Sequence, residues 1–337
     1  MARRVNFGLW YDFRNPAQWR VPFERLYLQT LEQIGWAETI GFDSVWLTEH
    51  HFTDDGYTPS PLVIAAAIGA RTKRLRIGTN ILQSPLHDPI RLAEDTATLS
   101  LLTGGRFDLG VAIGYRQFEF DAFHRALRHR PSLLEEGVEI LRRAWRGDAI
   151  NFSGRRFQIG DLRITPSPQH PPRILIGGMV PQAIERAARI GDGFLSTGGI
   201  GHDAYVAAMI KHGKQPHEGA ICAGDWAIVS DDPEREAAAI GEHVLYQSNQ
   251  YVEWGAFGPP DAVPRFTDAA AALRDGLYQL STPEAAVERL TAMLKQYPQI
   301  VDVHFWAQFP GESIESGSRR IECLATHVLP KIRAAIA

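Results

Sequence analysis

Cysteine is scarce in this chain, since Cys222 and Cys323 are the only two among 337 residues. Two cysteines without a C-x-x-C spacing are too few for a disulfide scaffold, which indicates a reducing cytoplasm. Long apolar runs are also absent, because no stretch approaches the roughly 18–20 uninterrupted apolar residues of a membrane span. The short run Val5–Trp10 stops before Asp12, which predicts a buried first strand rather than a signal peptide. We therefore expect a cytoplasmic protein without a membrane segment.

A large excess of one charge is missing as well. The 35 Lys+Arg and 39 Asp+Glu residues give a formal net charge of -4. No basic stripe is present to neutralise phosphates, which argues against a nucleic-acid partner. With 45% hydrophobic and 22% charged residues, the composition is that of a globular protein able to bury a large core. The length alone allows one domain or two.

The sequence does contain a regular alternation of short apolar strands and amphipathic helices. The predicted strands are Val5–Trp10, Ser44–Leu47, Leu75–Thr79, Arg106–Ala112, Ile174–Ile176, Phe194–Ser196, Trp226–Val229 and Val301–Trp306. The predicted helices are Phe23–Ile40, Pro61–Ala70, Pro89–Leu102, Ser132–Trp145, Ala183–Ile190, Pro233–Tyr251, one that begins near Pro283, and Arg319–Ile336. Eight strands joined by helices favour a closed (β/α)8 TIM barrel over a doubly wound sheet. We predict one domain over residues 1–337, with insertions at about 146–172 and 253–280.

Several common catalytic motifs are missing. There is no G-x-G-x-x-G after the first strand, no G-x-x-x-x-G-K-[ST], no H-E-x-x-H and no G-x-S-x-G. Nicotinamide binding in a Rossmann pocket, P-loop phosphoryl transfer and α/β-hydrolase chemistry therefore lack their usual sequence support. In a barrel the chemistry lies where strands end and the following loops begin, so those loops carry the candidate site.

The loop after the second predicted strand reads Thr48-Glu49-His50-His51-Phe52. Two adjacent histidines beside a carboxylate leave three alternatives: a metal site, a catalytic or substrate-facing His50, and a structural pair. Neighbouring side chains on a strand point to opposite faces, so His50 and His51 are poorly placed to share one metal. We favour the catalytic role of His50 and predict no metal site.

Three further strand ends carry residues suited to a ligand. The candidate cofactor-binding residues are Asn80, Ile81, Gly114, Tyr115, Gly177, Gly178, Met179 and Val180. The first pair begins a proline-bounded loop, which is typical of a backbone bend near a ligand and equally of a plain connection. The last four precede a predicted helix, where backbone amides can face an anion, with simple tight turning as the alternative.

The stretch 253–280 is long for a loop inside a compact domain. Loops of this length are usually functional, so we interpret it as an active-site lid, with disorder as the alternative. Aromatic residues at or near strand ends, among them Trp10, Tyr115 and Trp306, suggest an apolar ligand, although core packing explains them almost as well.

Five parts of the chain, in order and at matching spacing, resemble those of one known family. They are Val45–Thr53, Ile77–Thr79 with Pro85–His87 and Pro89–Asp95, Gly104–Val111, Pro171–Gly178, and Ala187–Gly193. Together they resemble the bacterial luciferase-like monooxygenase family, and the first resembles the luciferase α subunit in particular. The resemblance implies an eight-stranded barrel and a non-covalent flavin, either FMN or the deazaflavin F420.

The resemblance also implies roles for particular residues. His50 matches the catalytic acid/base of the family, and an imidazole that titrates near neutral pH suits that role. Asn80 and Ile81 match the bend beneath the flavin ring. The main expectation is an FMN-dependent monooxygenase that uses reduced FMN and O2 to oxygenate a small, largely apolar organic substrate. A separate flavin reductase would supply the reduced FMN, and family members are commonly dimers, so we expect a homodimer.

The chain departs from the luciferase pattern around the flavin phosphate. Ile113 stands where an arginine binds the phosphate, and Val180 and Ala183 stand where hydroxyl side chains do. A further phosphate-binding arginine matches Pro131, with Arg130 beside it as a substitute. Losing such charge-assisted partners would cost a few kcal/mol of phosphate affinity, unless the backbone amides of 178–180 suffice.

These departures leave two alternatives open. One is an F420-dependent oxidoreductase on the same scaffold, whose acidic cofactor tail needs basic residues; the candidates in loops are Arg116, Lys211, Lys214 and Arg265. The other is a non-catalytic luciferase-like barrel subunit, and a metallohydrolase is more distant. The luciferase α pattern also has a reactive cysteine where this chain has Ala112, so light emission is not expected.

Overall fold

The computed structural model describes residues 3–336, so Met1, Ala2 and Ala337 of the predicted domain lie outside the described residues. The strands are β1 (Asn6–Tyr11), β2 (Ser44–Leu47), β3 (Arg76–Thr79), β4 (Phe107–Val111), β5 (Ile150–Ser153), β6 (Gln158–Leu162), β7 (Arg173–Gly177), β8 (Gly193–Thr197), β9 (Ile221–Asp225), β10 (Ala227–Val229), β11 (Gln279–Ser281) and β12 (Ile300–Trp306). The helices are α1 (Phe23–Thr39), α2 (Pro61–Arg71), α3 (Pro89–Thr103), α4 (Gln117–Ala122), α5 (Arg130–Trp145), α6 (Pro181–Ile190), α7 (His202–Lys211), α8 (Pro233–Glu253), α9 (Ala269–Asp275), α10 (Pro283–Gln296), α11 (Ile314–Cys323) and α12 (Leu329–Ile336).

Eight of the strands form a closed barrel in the order β1-β12-β9-β8-β7-β4-β3-β2. Every neighbouring pair in the barrel is parallel, so each connection returns across the outside of the sheet, mostly as a helix. The strands are short and nearly all buried, as expected for strands covered by helices on one face and by barrel-filling side chains on the other. The predicted (β/α)8 TIM barrel is confirmed.

The seventh barrel strand is β9, so the prediction of Trp226–Val229 was wrong. Most of that segment forms β10, which pairs with β11 outside the barrel. The prediction followed the β-branched residues, whose strand propensity is high. The real strand contains small residues because large neighbours fill the barrel: a Cβ at Gly224 would lie 3.0 Å from the Trp10 ring and 3.3 Å from Nε2 of His304.

The two predicted insertions both have regular structure. Residues 146–172 contain an antiparallel hairpin of β5 and β6. Residues 253–280 run from the end of α8 through α9 to the start of β11, which is hydrogen-bonded to β10. Neither insertion is therefore an extended structureless loop. The predicted last helix is interrupted, because a π-helical turn at Leu324–Val328 separates α11 from α12.

A charge network lies at the end of the barrel where the strands begin. Asp108, at the start of β4, receives paired hydrogen bonds from Arg76 on β3 and Arg173 on β7, with nitrogen–oxygen distances of 2.6–3.0 Å. Burial would raise the pKa of Asp108, but the two guanidinium groups hold it below its ordinary value. This network joins three neighbouring strands. Within the described residues no helix is long and apolar enough to cross a membrane.

Candidate functional site

A cavity of about 300 Å3 opens where the barrel strands end. Every predicted site residue lines it: His50, Asn80, Ile81, Gly114, Tyr115, Gly177, Gly178, Met179 and Val180. Gly177 is the last residue of β7, and the others come from the loops after β2, β3, β4 and β7, whose carboxyl ends meet at this face of the barrel. The structure thus brings the predicted residues together, while their roles in binding and catalysis stay predictions.

His50 is held by a buried carboxylate on another element. Its Nδ1 lies 2.9 Å from Oε1 of Glu119, which is fully buried on α4. The same carboxylate accepts hydrogen bonds from the His51 backbone N–H at 2.8 Å and from Arg116 at 2.8 Å. Its second oxygen accepts from the Gln83 side chain at 2.9 Å. Glu119 therefore has a partner for each oxygen and holds the imidazole in one orientation.

The protonation states follow from these contacts. Burial would raise the pKa of Glu119, but the hydrogen bond from His50, the His51 amide and the charge of Arg116 hold it below its ordinary value. Burial lowers the pKa of His50 and outweighs the attraction of Glu119, which raises it. An ionised carboxylate can only accept, so the Nδ1 of a neutral His50 carries the proton. Its Nε2 is then an acceptor.

Tyr115 faces that acceptor nitrogen. Its hydroxyl oxygen lies 3.2 Å from Nε2 of His50. Burial holds the pKa of Tyr115 well above its usual value, so the group remains a phenol and donates its O–H to His50. The cavity therefore contains a neutral histidine whose acceptor nitrogen, Nε2, is covered by one hydrogen-bond donor, the Tyr115 hydroxyl, which a ligand can displace.

The second histidine of the pair belongs to a different network. His51 Nε2 lies 3.4 Å from Oε1 of Glu49, and Nε2 of His87 lies 2.8 Å from the same oxygen. Burial would raise the pKa of Glu49, but His87 and His51 hold it well below its usual range. The two histidines therefore face different carboxylates. Within residues 3–336 no group of three or more His, Cys, Asp or Glu side chains is arranged to hold a metal.

The predicted backbone bend after β3 is anchored from inside the barrel. The peptide bond between Asn80 and Ile81 is cis. The Asn80 side-chain nitrogen lies 2.8 Å from Nε2 of His304, whose Nδ1 lies 3.0 Å from Asp302. The Asn80 carbonyl accepts from the Trp10 indole at 2.9 Å. These contacts hold the bend so that Ile81 lines the cavity floor.

The start of α6 forms the side of the cavity suited to an anion. Pro181 opens that helix, and no hydrogen bond within residues 3–336 uses the backbone amides of Gly178, Met179 or Val180. Amides at a helix start attract anions. Gly178 has φ of 147°, and a Cβ there would lie 2.5 Å from Ala183, so only glycine fits this approach.

The residues that depart from the luciferase pattern also lie here. Ile113, Val180 and Ala183 all line the cavity, as does Arg130 at the first position of α5. Helices α5 and α6 are neighbours, linked by a 2.8 Å ion pair between Glu135 and Arg186. The anion side therefore offers backbone amides and one guanidinium, without the hydroxyl groups of the pattern.

None of the four basic residues proposed for a cofactor tail lines the cavity. Lys211, the last residue of α7, contacts Glu185, and Lys214, just beyond that helix, contacts the Ala188 carbonyl, which places both away from the strand ends. Arg265 pairs with Glu253 in the inserted segment. Arg116 lies close to the cavity, but Glu119 holds its guanidinium.

The remaining wall of the cavity is aromatic. Its rings are those of Trp10, Tyr57, Trp226, Tyr251 and Phe257. The hydroxyl oxygens of Tyr57 and Tyr251 are 2.9 Å apart, so this pair is hydrogen-bonded. Trp306, which was expected near a ligand, stacks behind Trp10 at a centroid distance of 4.4 Å and does not line the cavity.

The first residues of the inserted segment cover the cavity. Trp254 packs against His50, with 5.0 Å between ring centroids, and lies 4.4 Å from the guanidinium carbon of Arg116 and 5.2 Å from that of Arg14. These contacts are cation–π interactions on one indole ring. Ala256 and Phe257 then line the cavity. The segment thus occupies the place expected of a lid.

Sequence reasoning missed the most important partner of His50. Glu119 lies 69 positions further along the chain on a helix that was not predicted. Its signal is the run Phe118-Glu119-Phe120, in which a carboxylate adjoins an apolar residue directly after a strand-end loop. A carboxylate on the buried side of a short helix needs a positive or hydrogen-bonding partner, and a strand-end histidine is one.

Comparisons with known proteins agree with this architecture. The family model described as luciferase-like monooxygenase matches residues 7–299. An F420-dependent glucose-6-phosphate dehydrogenase of Amycolatopsis mediterranei is 33% identical over 191 residues. That match covers 55% of this chain and 57% of the relative, so it spans little more than half of that protein.

Two solved structures share the fold along nearly the whole chain. The monooxygenase RslO1 from Streptomyces bottropensis superposes with a TM-score of 0.77 at 24% identity, over 97% of this chain and 99% of that one. An F420-dependent secondary alcohol dehydrogenase, solved with an F420–acetone adduct, superposes with a TM-score of 0.76 at 18% identity, over 98% and 99%. At these identities the likeness shows a common fold.

Proposed function

Because the chain belongs to the luciferase-like monooxygenase family, we propose that it is an oxidoreductase that uses F420 to oxidise a small, largely apolar alcohol, or to reduce the matching carbonyl compound. The observation that carries the proposal is the neutral His50, whose Nε2 is an acceptor inside the cavity. Curated relatives named as F420-dependent dehydrogenases, at 31–33% identity, support the choice of cofactor.

The residues around the cavity fit such a cofactor. Apolar groups at Ile81 and Ile113 suit a planar ring system, and the free amides at the start of α6 with Arg130 suit its phosphate. The bound deazaflavin would supply a ring carbon that accepts a hydride. Because few cations line this end of the barrel, we expect the acidic tail to extend into solvent rather than into a basic groove.

The chain's own contribution is proton transfer and positioning. Nε2 of His50 accepts the proton of the substrate hydroxyl once the substrate displaces the Tyr115 O–H, and the Glu119 carboxylate stabilises the imidazolium that results. A base placed in this way contributes about 10²- to 10⁴-fold to the rate. The aromatic wall and Trp254 exclude water from the reacting groups.

A second candidate is the FMN-dependent monooxygenase that takes reduced FMN from a separate reductase and uses O2. Its support is the segment Val45–Thr53, which resembles the luciferase α subunit. The same His50 would then be the acid/base of the site. Ile113, Val180 and Ala183 lack the arginine and hydroxyl groups that hold the FMN phosphate in the luciferase pattern. In both cases we expect a homodimer.

One titration series separates the candidates. The purified protein is titrated with F420 and with reduced FMN under anaerobic conditions, and binding is followed by cofactor fluorescence and absorbance. We expect saturable binding of F420 and much weaker binding of FMN. Tight binding of reduced FMN, with oxygen-dependent product formation when a flavin reductase is added, would replace the proposal by the monooxygenase. Binding of neither cofactor would favour a non-catalytic subunit.

A further inference from the structure

The part of the cavity beyond the anion side is built from aromatic rings. The Trp10 and Trp226 rings meet edge to face with centroids 6.0 Å apart, and Trp226 and Tyr251 do so at 6.3 Å. Phe257, from the inserted segment, packs against Tyr251 at 6.3 Å. Tyr57 lies beside His50, with 4.9 Å between the ring centroids. A ligand whose reacting carbon is near His50 therefore has its body among these rings.

Cations are absent from that part of the lining. Among residues 3–336, the charged side chains and histidines that line the cavity are Glu49, His50 and Arg130. Glu49 is an anion paired with His87 and His51, and Arg130 opens α5, the neighbour of α6, at whose start the proposed cofactor phosphate would bind. No lysine lines the cavity in the described chain.

Two arginines, Arg14 and Arg116, lie near the cavity but do not line it. Arg14 is buried, and its Nε donates to Asp55 at 2.6 Å, while its Nη1 and Nη2 have no hydrogen-bond partner among the described residues. Arg116 donates to Glu119 at 2.8 Å and to the His51 carbonyl at 3.0 Å. The indole of Trp254 lies over both guanidinium groups. Neither arginine therefore adds a cation to the cavity lining.

From these observations we infer that the substrate is an uncharged aromatic alcohol or ketone, and that phosphorylated sugars are excluded, although the curated relatives are named as glucose-6-phosphate dehydrogenases. The inference rests on the proposed F420-dependent function. A phosphate dianion placed among these rings would lose its hydration and meet no cation, which is strongly unfavourable. An aromatic ring gains edge-to-face contacts with Trp226 and Trp10 that a saturated ring does not.

The test compares three alcohols with F420 as the oxidant: 1-phenylethanol, 1-cyclohexylethanol and glucose 6-phosphate. We expect kcat/KM for 1-phenylethanol to exceed that for glucose 6-phosphate by at least about 100-fold and that for 1-cyclohexylethanol by about 3- to 10-fold. In Trp226→Leu the preference for the phenyl over the cyclohexyl compound should disappear, mainly through KM. Trp36→Leu, which alters a tryptophan outside the cavity lining, should retain it.

Binding of acetophenone without cofactor, measured by calorimetry in the wild type and both variants, separates the possible failures. Binding that is lost in Trp226→Leu and kept in Trp36→Leu supports the aromatic subsite even if F420 is not used. Efficient turnover of glucose 6-phosphate overturns the inference and leaves the F420 function standing. Equal kcat/KM for the phenyl and cyclohexyl alcohols, with equal acetophenone binding in both variants, also overturns it.

Discussion

The contact between His50 and Glu119 makes the most direct prediction, which is tested by Glu119→Gln. The substitution keeps the shape of the side chain but removes the charge that faces Nδ1 of His50 at 2.9 Å. It also allows the side-chain amide to donate to Nδ1, which would move the proton to Nε2 and leave the base without its acceptor.

The expected loss follows from the kind of bond that is removed. A hydrogen bond to a charged group contributes about 1.5–3 kcal/mol, and Glu119 is fully buried, so solvent does not weaken it. Because about 1.36 kcal/mol corresponds to a tenfold change in rate, kcat for alcohol oxidation should fall about 10- to 100-fold. KM should change little, since Glu119 does not line the cavity.

The pH dependence gives a second, independent result. Burial lowers the pKa of His50, so the acidic limb of the wild-type profile should lie below the ordinary histidine value of about 6.5. Glu119 raises that pKa, so removing its charge should move the limb to still lower pH. Histidine NMR titration of wild type and variant measures the same shift without turnover.

Steady-state rates from pH 5 to 9 with F420 and the best alcohol provide the assay, and circular dichroism checks folding. Glu139→Gln, at an exposed ion pair on α5, is the control and should behave as wild type. The reasoning is refuted by a folded Glu119→Gln protein whose kcat stays within about twofold of wild type and whose acidic limb does not move.

Three further outcomes are expected. Burial raises the pKa of Asp12 to about 7. The stabilisation that the protonated carboxyl gives the folded state is therefore complete below about pH 4 and is lost as the pH rises through 7. Because asparagine does not ionise, the free energy of unfolding of Asp12→Asn in urea should exceed that of wild type by up to about 4 kcal/mol between pH 5 and 8. Tyr115→Phe should lower KM or leave it unchanged, because the substrate no longer displaces a donor from His50; a large loss of kcat would show a direct catalytic role. Ile113→Arg should tighten FMN binding at least tenfold in the titration. An unchanged affinity would show that residue 113 does not lie beside the bound phosphate.

The sequence predicted the barrel and the cavity lining for one reason. Apolar strand patterns are local, and in a barrel the loops after the strands meet at one face, so residues such as His50 and Gly177 were identified from strand ends alone. The error at β9 has the opposite cause. The side chains of β9 are small because they must make room for Trp10 and His304, and these packing partners lie far away in the sequence.

The sequence also did not predict the partner of His50 or the end of the barrel at which the lysines lie, because both are set by contacts between distant parts of the chain. Nothing local to Glu119 shows that α4 turns its carboxylate toward His50. Lys211 and Lys214 were taken as candidates because they occur in loops, but loops occur at both ends of a barrel, and these face the end without the cavity. A loop that follows a strand lies at the cavity end, and a loop that follows a helix lies at the opposite end.

The network of Asp108, Arg76 and Arg173 has a consequence for protein engineering. It ties three strands together at the end of the barrel opposite the cavity. Residues at the cavity end, such as Ile113 and Ala183, are therefore open to simultaneous randomisation without removal of any of these ion pairs. A library confined to such positions would search for a new cofactor preference while the barrel that presents it stays assembled.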